Sequence, residues 1–221
     1  MDLEVREDTR KYNYCFFILS TMKSGKLITF YGINNIGKTT HAHLLTKHLC
    51  DDGFDAVYIK FPVYDLEPTG RYLNSFLRNS TNQKQSITEE ELQMWFTLNR
   101  FQFQPTLNTW LSEGKIVIAE DYIGTGIAWG MTKGADEAWL EMLNRDLRHE
   151  DFALLLEGER AMKAREESHI HESDNELVER ARANFSHLGT RHGWKRVQIG
   201  ASKEESAENI YREVKNFLSA E

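Results

Sequence analysis

The stretch ITFYGINNIGKTTHAHLL, residues 28–45, decides the fold. An apolar run, Ile28 to Tyr31, leads into Gly32, four intervening residues, Gly37, Lys38 and Thr39, and then into a helix-like repeat of His41, Leu44 and Leu45. The segment Gly32-Ile33-Asn34-Asn35-Ile36-Gly37-Lys38-Thr39 fits the phosphate-binding pattern G-x-x-x-x-G-K-[ST]. Glycines let such a loop curl until successive N–H groups point inward, and the helix start behind it adds positive potential. A lysine there meets the β- and γ-phosphates, and the hydroxyl after it meets Mg²⁺. By chance the pattern arises in about one chain of this length in a hundred, and a strand before it with a helix after it makes accident rarer still. The interior is unusual in having no carboxylate and no arginine, only Ile33, Asn34, Asn35 and Ile36.

Outward from this loop, short apolar runs alternate with longer amphipathic segments. Residues 26–32 read as a strand and 38–53 as a helix closed by Gly53. Residues 55–61 form a second strand stopped by Pro62, followed by a short helix over 67–80. One or two longer helices cover 88–114, opened by a capping box of Thr88 and Glu91 and divided or kinked at Pro105. Residues 115–121, 151–158 and 195–200 supply three more strands, with helical patterns between and after them. Alternation of this kind predicts an α/β fold, a parallel sheet covered by helices on both faces.

The whole chain sets outer bounds. Its 221 residues suit one domain, over 25–221, with no repeat or linker dividing it. A formal net charge of −7 argues against a nucleic-acid partner. Two cysteines, Cys15 and Cys50, give neither a disulfide framework nor a zinc site, so a reducing cytoplasm is the expected location. Residues 1–24 read as a poorly ordered leader: CFFIL at 15–19 is too short to span a bilayer, and the acidic residues before it disfavour a signal peptide. A start of translation at Met22 is the simplest account of them, and no membrane partner is expected.

With the loop, three further segments resemble thymidylate kinases: IKFPVYDLEPTGRYLNSFL at 59–77, MWFTLNRFQ at 94–102 and VIAEDYIGTGIAWG at 117–130. They are similar to that family's basic-Phe-Pro segment, its Phe and Asn-Arg on one helix, and its strand ending in Asp-Arg-Tyr before a serine and an aromatic. Order and spacing match from about residue 26 to the C-terminus. The resemblance implies a P-loop NTPase fold whose five-stranded parallel sheet has the order 2-3-1-4-5, with a small lid at about 159–175. It also implies a homodimer acting on a small-molecule nucleotide, and ATP-dependent phosphorylation of dTMP to dTDP.

The resemblance also assigns residues. Gly32, Asn34, Asn35, Ile36, Gly37, Lys38, Thr39 and Thr40 form the candidate ATP site, and Thr39 with Glu120 the Mg²⁺ site. The candidate acceptor site comprises Lys60, Phe61, Phe96, Arg100, Asp121, Thr125, Gly126 and Trp129. Phe96 and Arg100 are four apart and share a helix face, so a ring can stack on a pyrimidine while the guanidinium grips a phosphate or bonds a base edge. Lys38, Glu120, Arg100 and Arg165 are the candidate catalytic residues. Arg165 is drawn, with Arg160 and Lys163, from a charged lid stretch that reads equally as a solvated helix face. His169 and His171 read as a polar loop, not a metal site.

Departures from the family pattern are concentrated near the acceptor. Glu120 stands for its aspartate, Asp121 for its arginine, Lys60 for an arginine, Asn34 for a loop acid and Tyr31 for the glutamate before the loop. Asn35 leaves the loop without the arginine some members carry, which shifts that role to the lid. Asp121 turns an attraction for the acceptor phosphate into a repulsion unless cations screen it. Three readings therefore stand: dTMP phosphorylation with a rearranged clamp, phosphorylation of a deoxynucleoside or another pyrimidine deoxynucleotide, and a catalytically weak nucleotide-binding regulator.

Overall fold

The computed structural model describes residues 24–78, 87–159, 175–200 and 202–220. Five strands form one wholly parallel sheet: β1 (Lys26–Tyr31), β2 (Ala56–Lys60), β3 (Ile116–Glu120), β4 (Phe152–Glu157) and β5 (Lys195–Gln198), in the order β2-β3-β1-β4-β5. This is the expected order. Because β1 and β3 are central, their side chains are buried on both faces, with Leu27, Ile28, Phe30, Tyr31, Val117 and Ile118 fully enclosed. The edge strand β5 buries only Val197.

Among the described residues six helices lie between the strands, α1 (Lys38–Asp51), α2 (Thr69–Arg78), α3 (Glu89–Ser112), α4 (Ile123–Thr132), α5 (Glu137–Asn144) and α6 (Asn175–Arg191), and α7 (Lys203–Ser219) follows β5. α1 packs with α7, while α4 packs with α3, α5 and α6. Right-handed crossovers account for this division, since β1 to β2 runs one way across the sheet and each later crossover runs the other.

The predicted cap of α3 is present, with the Thr88 hydroxyl accepting from the N–H of Glu91 at 3.1 Å. Of the division or kink expected at Pro105, the division is absent: α3 runs unbroken for 24 residues through it. Pro105 and Phe101, whose carbonyl loses its partner, both lie on the exposed side of the helix, where water can take the freed acceptor.

Register brings the functional ends together. Phe30 of β1 pairs with Glu120 of β3, which pairs with Lys60 of β2. The carboxyl ends of three strands therefore open on one crevice, beside the point where strand order reverses around β1, the usual ligand position in open α/β sheets. Behind it, Tyr31 packs on Trp194 with ring centroids 4.2 Å apart and donates to Glu150 Oε1 at 2.9 Å. Gly124 lets α4 approach this pair, because a Cβ there would lie 2.5 Å from Trp194 Cη2 and 2.9 Å from Tyr31 Cζ. Gly124→Ala is expected to lower the unfolding free energy by about 1–3 kcal/mol through overpacking, read from the urea midpoint.

Candidate active site

The loop between β1 and α1 has the conformation that its sequence demands. Gly32 and Gly37 have φ of 133° and 100°, and a Cβ on Gly32 would meet the Leu156 carbonyl at 2.8 Å. Asn35 sits at φ 63°, a left-handed conformation that asparagine accepts more readily than most side chains. Gly37 caps α1 with no side-chain acceptor, so the first N–H groups of the helix are left to face an anion. Lys38 is buried and arches back over the loop, donating to the carbonyls of Gly32 at 2.9 Å and Ile33 at 3.0 Å.

Beside the loop lies a cluster of opposed charges. Glu120, buried at the end of β3, accepts from Thr39 Oγ1 at 2.8 Å and from the Tyr58 hydroxyl at 2.6 Å, and pairs with Lys60 Nζ at 3.0 Å. The next residue, Asp121, turns to φ 62°. Its carboxylate lies 3.4 Å from Lys38 Nζ and accepts from Thr125 Oγ1 at 3.2 Å. Burial works against the charge on both acids. For Glu120 the Lys60 charge and the hydroxyls of Tyr58 and Thr39 prevail, holding its carboxyl below the usual range. Burial, with the neighbouring Glu120 charge, pushes Asp121 up. Burial also raises the Tyr58 phenol, which therefore donates as a neutral hydroxyl.

Next to this cluster lies a cavity of about 150 Å³ between α3 and α4. Asn34 of the loop and Asp121 line it together with Phe61, Phe96, Arg100, Thr125, Gly126 and Trp129. Of the candidate acceptor residues only Lys60 stays outside the lining; it stands at the crevice with 47% of its side chain exposed. Arg100 is 4% exposed, its Nη1 held by Asn144 Oδ1 at 2.8 Å, and burial lowers its pKa to about 10, which leaves it cationic. Arg160, Lys163, Arg165 and the lid lie outside the described residues, as do His169, His171 and residues 1–23.

Several participants were not singled out in the sequence. Tyr58 lies two residues before Lys60 on the same face of β2, and Gln93 lies three before Phe96 on the inner face of α3. Those spacings were the available signal. Asn144, from α5, had none. Asn99, next to Arg100, accepts from the Val63 N–H at 2.7 Å and donates to the Val63 carbonyl at 3.0 Å and Thr69 Oγ1 at 2.9 Å. It thereby fixes the segment that carries Phe61 into the cavity.

A P-loop that faces a charged crevice and a neighbouring aromatic-lined cavity is the arrangement of a phosphotransferase acting on a small acceptor. The chain belongs to the thymidylate kinase family, whose model matches residues 30–210. It is 28% identical to the thymidylate kinase of Homo sapiens over 193 residues, covering 85% of this chain and 89% of that one. It is 30% identical to a probable thymidylate kinase of Pyrococcus abyssi over 202 residues, covering 88% and 98%. Among solved structures, a thymidylate kinase from Candida albicans matches with a TM-score of 0.76 at 19% identity, covering 90% of this chain and 94% of that one. A thymidylate kinase from Ehrlichia chaffeensis matches at 0.69 and 20%, covering 87% and 99%. These two likenesses establish the shared fold.

Asn99→Ala is expected to cost about 1–3 kcal/mol in urea unfolding, because it leaves the partly buried N–H of Val63 without its acceptor, while the Val63 carbonyl keeps the Leu66 N–H at 3.4 Å. A loss below about 1 kcal/mol would mean that the segment is held by other contacts.

Proposed function

We propose that the protein transfers the γ-phosphoryl group of ATP to the 5′-phosphate of dTMP, releasing ADP and dTDP. One observation carries this reading: Asp121, which lines a cavity with Phe96, Arg100 and Trp129, lies 3.4 Å from Lys38 of the loop and follows Glu120 of the Thr39–Glu120 pair. Phosphoryl transfer is chiefly positioning and charge stabilisation. The loop N–H groups and Lys38 hold the donor phosphates. Phe96 and Trp129 sandwich the acceptor base, and Lys60 draws the acceptor phosphate to the crevice. Of the two roles open to Arg100, its depth and its bond to Asn144 favour the base edge.

The donors at Thr39 and Glu120 are a hydroxyl and a carboxylate oxygen 2.8 Å apart, a pairing that suits a hard divalent cation completed by phosphate and water. When bound there, Mg²⁺ supplies charge neutralisation at the donor phosphates. Among the described residues no group of three or more His, Cys, Asp or Glu side chains competes for the ion. No described helix is long and apolar enough to cross a membrane. We assign the protein to the cytoplasm as a homodimer. Met94, Leu98 and Phe101 give α3 an exposed apolar stripe suited to a second copy.

A coupled assay of ADP release with dTMP, dUMP, thymidine or no acceptor tests the function. Turnover with dTMP well above the acceptor-free rate is expected. ATP binding without acceptor-dependent turnover would leave a regulator, and turnover with thymidine but not dTMP would make this a nucleoside kinase. Asp121→Asn keeps a side chain that tolerates positive φ and can still accept from Thr125. Removing its charge should lower the KM for dTMP by about 3–10-fold. An unchanged or raised KM would mean that Asp121 helps to build the clamp.

A further inference from the structure

Gln93 joins Arg100 as a buried polar group of the cavity with no part in phosphate handling. It is 2% exposed, yet it lines the cavity beside Gly126. Its Nε2 donates to Glu89 Oε1 at 2.8 Å, and Glu89 is paired with Lys133 at 3.0 Å. Since a carboxylate only accepts hydrogen bonds, this contact fixes the orientation of the amide. Oε1 is thereby turned toward Gly126.

Arg100 approaches the same glycine. A Cβ on Gly126 would lie 2.5 Å from Arg100 Nη2 and 3.1 Å from Gln93 Oε1. Arg100 Nε is buried without a hydrogen-bond partner. A donor and an acceptor thus stand side by side over a residue that has no side chain to separate them. Flat, adjacent and of opposite sense, they match a ring edge that offers a carbonyl next to an N–H.

We propose that Gln93 is a specificity-determining residue that reads the base: its Oε1 accepts the N3–H of thymine or uracil, while Arg100 donates to the neighbouring C4 carbonyl. This rests on the dTMP reading above. Cytosine reverses both groups, presenting an amino donor to Arg100 and an acceptor nitrogen to Oε1. Both contacts then fail in a desolvated pocket, where unpaired polar groups are most costly. The methyl group of thymine takes no part, so the pair selects imide pyrimidines as a class.

The test compares kcat/KM for dTMP, dUMP and dCMP in the wild type, in Gln93→Leu and in Gln93→Met, with melting temperatures for each. Either substitution keeps the side-chain volume and leaves the Glu89–Lys133 pair in place. The wild type should favour dTMP and dUMP over dCMP by at least about a hundredfold. Each variant should lose about 10–100-fold with dTMP and dUMP together, and change by less than about threefold with dCMP. A merely structural role would lower all three alike. That outcome, or unchanged ratios in whichever variant folds, overturns the role of Gln93 while dTMP turnover by the wild type still stands. No turnover of any pyrimidine deoxynucleotide by the wild type overturns both readings.

Discussion

Two lysines and two carboxylates share the carboxyl end of β3, and the rest of the site is arranged around their balance. Lys60 holds Glu120, and Lys38 stands against Asp121. Neither pair could form without the parallel register that brings the ends of β1, β2 and β3 level. Glu120 holds its charge at the buried end of β3 because Lys60 and two hydroxyls offset the burial, since a buried charge is tolerated only when it is paired and hydrogen-bonded, whereas Asp121 is pushed up even beside Lys38. Thr39 and Tyr58 complete the set by donating to Glu120, which ties the first turn of α1 to β3 and β2.

From this cluster the molecule divides into two halves of different character. The donor half is backbone: a glycine-bounded loop, an uncapped helix start and one arched lysine. It is anchored from behind by Tyr31 packed on Trp194 and hydrogen-bonded to Glu150. The acceptor half is side chain. Asn99 and Arg100, adjacent on α3, point to different tasks, one clamping the chain after β2 and the other entering the cavity. Asp121 belongs to both halves, since it lines the cavity and touches Lys38. A single reversal of charge there is therefore felt by donor and acceptor together.

The sequence was most legible where chemistry demands a fixed local pattern. The glycines and lysine of the loop, the alternation of strands and helices, and the Thr88 cap each carry their geometry within a few residues. The sheet order followed from likeness to a family, not from periodicity. Phe96, Arg100 and Trp129 were found through spacing and likeness, and they do converge on one cavity. Gln93, Asn144 and the Tyr31–Glu150 bond were not legible in this way, because their partners are distant in sequence and a buried amide looks like any other polar residue on a helix. Whether Pro105 divides its helix was not legible for a related reason. Its cost depends on whether the freed carbonyl faces water, and that is a property of the packed helix.

The central claim is that Lys60 and Lys38 outweigh Glu120 and Asp121, so that the site still recognises an acceptor by its phosphate. Calorimetric titration of dTMP and thymidine into the protein, with a non-hydrolysable ATP analogue and Mg²⁺ present, tests this most directly. The account predicts that dTMP binds at least about tenfold more tightly than thymidine, with the difference shrinking as salt is raised. Equal affinity, or tighter binding of thymidine, would contradict it.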